Sequence, residues 1–209
     1  MYMLYLSTFI KGFGIGFTVA AIVGPIGLLC IRRTITEGQA VGLAIGLGAA
    51  LADAAYGLIA GLGLTFISDF LLDHQVALRF FGSIFLLYLG ITTFLEKPIE
   101  KAAAVSGRAL PKLVGSIFLL TLSNPVTILS FAAIFAGLGI GADGLNYLMA
   151  FLLVFGVFLG SMVWFTLLTT ALRFVRTKIN VAVIGIINKI SGALITGFGI
   201  VGLASLLVT

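Results

Sequence analysis

The sequence predicts an all-α integral membrane fold: six transmembrane helices in two inverted three-helix repeats, with both termini outside. Three observations predict it. The composition is too apolar for a soluble domain. The apolar residues gather into six runs of membrane-spanning length. The basic residues fall almost entirely on one side once those runs are threaded through a bilayer.

Of the 209 residues, 61% are hydrophobic and 9% are charged, where a soluble domain carries roughly 25% charged residues. A chain of this length has no interior large enough to hide that surface, so the excess faces lipid. Gly is abundant, at 27 residues, and membrane helix interfaces use small residues to bring backbones together. The net charge of +5 would also suit a nucleic-acid binder. Here, however, the basic residues sit in short clusters between apolar runs, as in membrane proteins with basic cytoplasmic loops. Lipid is therefore the expected macroscopic partner and nucleic acid is not. A single cysteine, Cys30, excludes an internal disulfide and a cysteine metal cage. The opening Met1-Tyr2-Met3-Leu4-Tyr5-Leu6 has no basic n-region, so no cleaved signal peptide is expected.

A hydrocarbon core about 30 Å thick needs about 20 apolar residues in a helix. The runs from about Tyr5 to Leu28, Val41 to Leu64, Leu78 to Leu95, Leu113 to Leu138, Leu145 to Leu168 and Ile190 to Val208 meet that requirement. A β-barrel would instead show ~10-residue alternating segments. The loop after span 1 is expected to hold Arg32 and Arg33. The loop after span 3 is expected to hold Lys97, Lys101, Arg108 and Lys112, and the loop before span 6 Arg173, Arg176, Lys178 and Lys189. Ten of the twelve basic residues thus lie on the cytoplasmic side, with Lys11 and Arg79 as exceptions. Asp69, Asp73, His74 and Asp143 fall in the opposite loops, where His74 reads as a solvated side chain rather than a metal ligand.

The two halves are related. Val23-Gly24-Pro25-Ile26-Gly27-Leu28-Leu29 in span 1 parallels Ser123-Asn124-Pro125-Val126-Thr127-Ile128-Leu129 in span 4. Gly82-Ser83 with Gly90 in span 3 parallels Ser191-Gly192 with Gly199 in span 6. Three spans per half make the second half enter from the opposite face. The division is one transmembrane domain over 1–209: a first repeat at 1–95, a cytoplasmic loop at 96–112 and a second repeat at 113–209. Inverted repeats with paired interrupted helices characterise secondary transporters. Proline removes a backbone donor and clashes with the preceding turn, which frees carbonyls near the midplane to ligate a solute. Ordinary membrane kinks are the alternative reading of the same prolines. Pro25 lies nearer the cytoplasmic end of its span than Pro125 does, so helix 1 is expected to tilt, or to break and re-enter.

Asp53 is the most informative residue. It lies close to the midplane of span 2, where a carboxylate costs about 2.5–3.5 kcal/mol and faces a cavity or a partner. Ala49, Ala52, Asp53, Tyr56, Ala60 and Gly63 share one small, polar helix face, and Leu47, Leu51, Leu58 and Leu62 form the opposite stripe. Asp53 is thus a candidate proton-coupling site, a counter-ion for a substrate ammonium, or both in turn; a structural carboxylate paired to another helix is the alternative. Asn124 precedes Pro125, with Thr121, Thr127 and Ser130 nearby. These groups suit a zwitterion, or else satisfy the backbone that the proline breaks. Tyr56 is placed in a cavity lining, and Trp164 as an interfacial anchor. Gly156 and Gly160, Gly42 and Gly46, and the stripe Gly192, Thr196, Gly199 and Gly202 read as helix packing. They permit a homodimer and equally permit packing within one chain. Gly12, Gly14 and Gly16 lie inside an apolar span and are not a nucleotide loop. No cofactor, metal or hydrolytic motif is read, so the chain is not expected to be an enzyme.

The order of these motifs resembles the lysine-exporter (LysE) family over nearly the whole chain. The resemblance rests on Val23-Gly24-Pro25 followed by Arg32-Arg33 and a Gly-rich span 2. It continues through Asp53-Ala54-Ala55-Tyr56-Gly57, Leu87-Tyr88-Leu89-Gly90 and Thr121-Leu122-Ser123-Asn124-Pro125. The resemblance implies a six-helix exporter of amino acids or related metabolites, driven by the proton or ion gradient, in a bacterial cytoplasmic (inner) membrane. Gly24, Pro25, Asp53, Tyr56, Thr121, Asn124 and Pro125 are the expected substrate- and proton-binding residues. Many members carry Pro-Gly-Pro where this chain has Val23-Gly24-Pro25, so a gentler helix break is expected here. The alternatives are a passive channel and an exporter of a non-amino-acid metabolite or cation.

Overall fold

The computed structural model describes residues 2–22, 24–61, 75–95, 109–124, 127, 131, 147–176 and 181–206. Every regular element among them is a helix. In chain order these are α1 (Tyr2–Ala21), α2 (Pro25–Glu37), α3 (Gln39–Gly61), α4 (Gln75–Leu95), α5 (Leu110–Leu122), α6 (Tyr147–Arg176) and α7 (Val181–Ala204). Stretches of α1, α3, α6 and α7 are long and apolar enough to cross a membrane; the apolar parts of α4 and α5 are shorter. Phe80, Phe81, Phe85, Tyr88, Phe151 and Ile200 are exposed on the outer surface, as lipid-facing side chains are. The chain is a multi-pass membrane protein.

The first predicted span is two helices. α1 stops at Ala21, and Gly24 takes an extended conformation with φ −115° and ψ −171°. Pro25 then opens α2 at its first position, where a fixed φ is pre-set for a helix and the absent N–H would have had no intrahelical partner. An extended glycine and one N-terminal proline suffice to separate the helices. α2 ends at Gly38, whose φ of 111° favours glycine. The Gly38 N–H closes the end by donating to the carbonyls of Arg33 and Thr34, and α3 begins at the next residue. α5 ends at Leu122 with Asn124 outside the helix. The residue before a proline is pushed out of the α region, and Asn124 precedes Pro125.

Helix termini overrun the apolar runs, and this relocates several charges. Arg32 and Arg33 lie on α2, Lys112 on α5, Arg173 and Arg176 on α6 and Lys189 on α7, not in loops. α7 starts at Val181, about two turns before the predicted Ile190. At the exposed Lys112, Arg173 and Lys189 this is tolerable, because long basic stems lie along apolar surface while the head reaches out. Asp69, Asp73, His74, Lys97, Lys101, Arg108, Asp143, Lys178 and the later part of predicted span 4 lie outside the described residues.

The packing has a definite pattern. α1 lies on α6, α3 on α6 and on α5, α4 on α7, and α2 fills between α3, α6 and α7. α3 is the most enclosed span, with 61% of its apolar window buried against 28% for α1 and 33% for α7. The core between α2, α3, α5 and α6 includes Leu29, Val41, Ile45, Ile117, Leu120 and Phe165. Glycines set the closest approaches. A Cβ on Gly12 or Gly16 would fall on the backbone of Leu153 or Val157, and one on Gly156 or Gly160 on the backbone of Phe9 or Phe13. At the second interface, a Cβ on Gly90 would meet Thr196, and one on Gly192 would meet Phe94. The packing reading of the Gly156/Gly160 pair and of Gly192 agrees with these contacts.

Candidate functional site

A small cavity lies where the α1–α2 break, the middle of α3 and the end of α5 converge. Its lining includes Gly24, Gly27, Asp53, Thr121, Asn124 and Thr127, with an apolar wall from Val19, Ile26, Ala49 and Phe165. Its volume is about 40 Å³, room for a few water-sized spheres at roughly 10–15 Å³ each and too little for a solute of amino-acid size.

The break builds one wall. The first amides of a helix have no intrahelical acceptor, and the first residues of α2, Ile26 and Gly27, line the cavity with Gly24. Asp53 comes from the face of α3 that the 3.6-residue period assigned to the protein interior, and it is 3% exposed. Ser161 on α6 donates to Asp53 Oδ2 at 2.7 Å. That bond fixes one carboxylate oxygen to the neighbouring helix and leaves Oδ1 with no protein partner among the described residues. The end of α5 supplies the third wall. Thr121 donates its hydroxyl proton to the Ile117 carbonyl at 2.8 Å, which turns its oxygen lone pairs outward. Asn124, 5% exposed, follows in the segment where the helix has stopped.

Of the residues singled out in the sequence, Gly24, Asp53, Thr121 and Asn124 thus meet around one cavity. Pro25 is fully buried beside it. Tyr56 does not line it: its hydroxyl donates to the Leu122 carbonyl at 2.7 Å, and its ring stacks on Phe131 with centroids 5.2 Å apart. Leu122 is the last residue of α5, so Tyr56 supplies the donor that an unpaired helix-end carbonyl requires. Trp164 lies outside the lining too, edge-on to Phe17 at 5.4 Å. Pro125 and Ser130 lie outside the described residues.

Two residues were missed by sequence reasoning. Ser161 is the first; a hydroxyl fully inside a membrane helix must find an acceptor, and that signal was present. Arg32 is the second. It was expected in a cytoplasmic loop, but α2 carries it into the interior, where it is 4% exposed. Its Nε donates to Asn188 Oδ1 at 3.1 Å and its Nη1 to Thr93 Oγ1 at 3.2 Å. Arg32 therefore ties α2 to α4 and α7. Arg33 stays half-buried and pairs with Glu37 one turn on, at 3.1 Å.

Comparison with known proteins fits this arrangement. The family model described as LysE type translocator matches residues 17–205. The chain is also 30% identical over 201 residues to a protein of Bacillus subtilis (strain 168) named "Putative amino acid efflux protein YcgF", covering 93% of this chain and 94% of that one. No solved structure matches the chain. A multi-pass membrane chain whose family match runs across nearly its full length is a transporter, and this chain belongs to the LysE type translocator family.

Proposed function

We propose that the chain is a secondary-active exporter of an amino acid or amino-acid derivative across a bacterial cytoplasmic membrane, coupled to proton entry. The observation that carries this reading is the convergence of a buried carboxylate, Asp53, with two interrupted helices on a single cavity. The efflux function in the name of the Bacillus subtilis relative supports the direction and the solute class.

The mechanism follows from having one carboxylate at the site. Asp53 holds either a proton or the substrate ammonium. Substrate bound from the cytoplasm is released outside when a proton takes its place, and the protonated carrier returns to release the proton inside. A bare carboxylate is costly in the membrane interior, so reorientation with Asp53 unoccupied is disfavoured, and that couples the two fluxes. The packing pattern supports alternating access by inverted repeats. Exchanging spans 1–3 for spans 4–6 maps α3·α6 and α4·α7 onto themselves, and maps α1·α6 onto α5·α3; all of these pairs are in contact.

The experiment is export from cells expressing the chain and fed a panel of dipeptides, with and without a protonophore. The reading expects one amino acid, or a few related ones, to accumulate in the medium, and the accumulation to collapse when the proton gradient is removed. Accumulation insensitive to the protonophore contradicts proton coupling.

A further inference from the structure

We propose that the trough between α5 and α6 binds an anionic phospholipid of the cytoplasmic leaflet, with its acyl chain along α3 and its phosphate on Arg173. The site shares no lining residue with the cavity at Asp53 and does not depend on what the protein transports.

The packing of three helices makes the trough. Among the described residues, α5 and α6 each pack on α3 but hardly on each other. That leaves a space between them with α3 as its floor. Ala40, Leu43 and Leu47 form the floor at the three- and four-residue spacing of one helix face. Val114 lines the space from α5, and Met162 and Thr166 line it from α6. Its volume is about 790 Å³, within the ~300–1,000 Å³ range of small-molecule sites. From Gln39 to Leu47 the floor runs about 12 Å at roughly 1.5 Å per residue. Leu43, Leu47, Val114 and Met162 are only half-buried, so the trough presents apolar surface along its length.

One end of the trough is polar and basic. Arg173 lies two turns past Thr166 and three past Met162, on the same face of α6. Its Nη1 donates to Gln39 Oε1 at 3.3 Å, and Gln39 Nε2 donates to Thr170 Oγ1 at 3.0 Å. Gln39 directly precedes Ala40, so these bonds hold the exposed guanidinium at the mouth. Among the described residues Arg173 pairs with no carboxylate; Glu37, close by in sequence, pairs with Arg33 at 3.1 Å. A cation without a counter-ion at the end of an apolar trough is complementary to an amphiphile with an anionic head. The starts of α3 and α5 and the end of α6 share this end. The bias of basic residues assigns it to the cytoplasm, whose leaflet carries anionic lipid, and basic pockets between membrane helices on that side bind lipid phosphates. A guanidinium grips a phosphate through paired N–H donors. A second copy of the chain is a poorer occupant: a two-fold contact sets a patch against itself, which leaves two troughs facing each other unfilled.

The test is native mass spectrometry of the full chain, released from micelles that contain equal amounts of phosphatidylglycerol and phosphatidylcholine with the same acyl chains. The wild type is expected to retain phosphatidylglycerol over phosphatidylcholine by about fivefold, as one basic residue at the membrane surface supplies. Arg173→Gln, at an exposed position, is expected to keep bound lipid but bring the preference close to parity. Ala40→Phe, which adds a ring at the exposed mouth of the floor, is expected to lower retention of both lipids several-fold. Thermal aggregation of the wild type needs no variant, and phosphatidylglycerol is expected to raise its midpoint by several degrees more than phosphatidylcholine does. A wild-type preference below twofold overturns the proposal, as does an Arg173→Gln protein with the wild-type preference or equal midpoints in the two lipids. Unchanged lipid retention by Ala40→Phe overturns the placement of the acyl chain in the trough. A lipid-free dimer as the main species makes a second copy the occupant and overturns the lipid site.

Discussion

Two buried polar side chains define this protein at the scale of single residues, and they differ in how visible they were. Asp53 was legible because a carboxylate in the middle of an apolar run has no innocuous explanation. Its partner was not: Ser161 lies 108 positions away, and helical periodicity says which face a residue occupies but not which residue it meets. Arg32 was misplaced for a related reason. Two arginines after an apolar stretch look like the start of a loop, and only the break at Gly24 shows that a second helix follows and carries Arg32 inward. The Arg32 contacts make a definite prediction. Asn188→Leu takes an acceptor from a buried guanidinium, and a hydrogen bond to a charged group is worth about 1.5–3 kcal/mol. The thermal aggregation midpoint of the purified protein in detergent is expected to fall by several degrees, and Arg32→Lys is expected to behave similarly, since an ammonium cannot reproduce the two-pronged donation to Asn188 and Thr93. An unchanged midpoint in both variants would show that the cluster is structurally idle.

At the scale of elements, the glycines and prolines carry the architecture. Small residues at four-residue spacing predicted close helix packing, and α1 and α6 do approach so closely that their glycines lie against each other's backbone. Gly14 is different: a Cβ there would meet nothing within 4 Å. Gly12→Ala and Gly160→Ala are therefore expected to destabilise the fold by roughly 1–3 kcal/mol, the usual cost of overpacking. Gly14→Ala is expected to be neutral or to stabilise by up to about 1 kcal/mol through helix propensity. Fluorescence-detected size exclusion after stepwise heating checks this; equal behaviour of Gly12→Ala and Gly14→Ala would contradict the packing described. The severity of the α1–α2 break was not legible in the same way. Proline spacing alone left open whether helix 1 tilts or breaks, and the extended Gly24 with Pro25 at the first helical position makes it a break.

At the scale of the whole molecule, the membrane class followed from composition alone, and the family followed from the order of motifs along the chain. The meeting of Gly24, Asp53, Thr121 and Asn124 did not follow from either. It depends on how α2, α3 and α5 are packed; the sequence named these residues as one expected site between two proline-broken helices and Asp53, but helical periodicity gave no geometry for their meeting. The cavity at that meeting point holds only about 40 Å³. Transport in the proposed cycle therefore requires the helices to part, and Arg32, bonded to both α4 and α7, joins the second half-helix of span 1 to that pair.

The central claim is that Asp53 takes a proton and a substrate ammonium in alternation. It is tested most directly by reconstituting wild-type and Asp53→Asn proteins at matched levels and measuring transport of the exported amino acid across a range of pH. For the wild type, half-saturation should rise as pH falls, because protons compete with substrate for one carboxylate. For Asp53→Asn, gradient-driven transport should fall at least a hundredfold (about 2.8 kcal/mol, at 1.4 kcal/mol per factor of ten), and any residual flux should be independent of pH. An Asp53→Asn protein that folds, reconstitutes and transports at the wild-type rate with the wild-type pH profile would contradict the account.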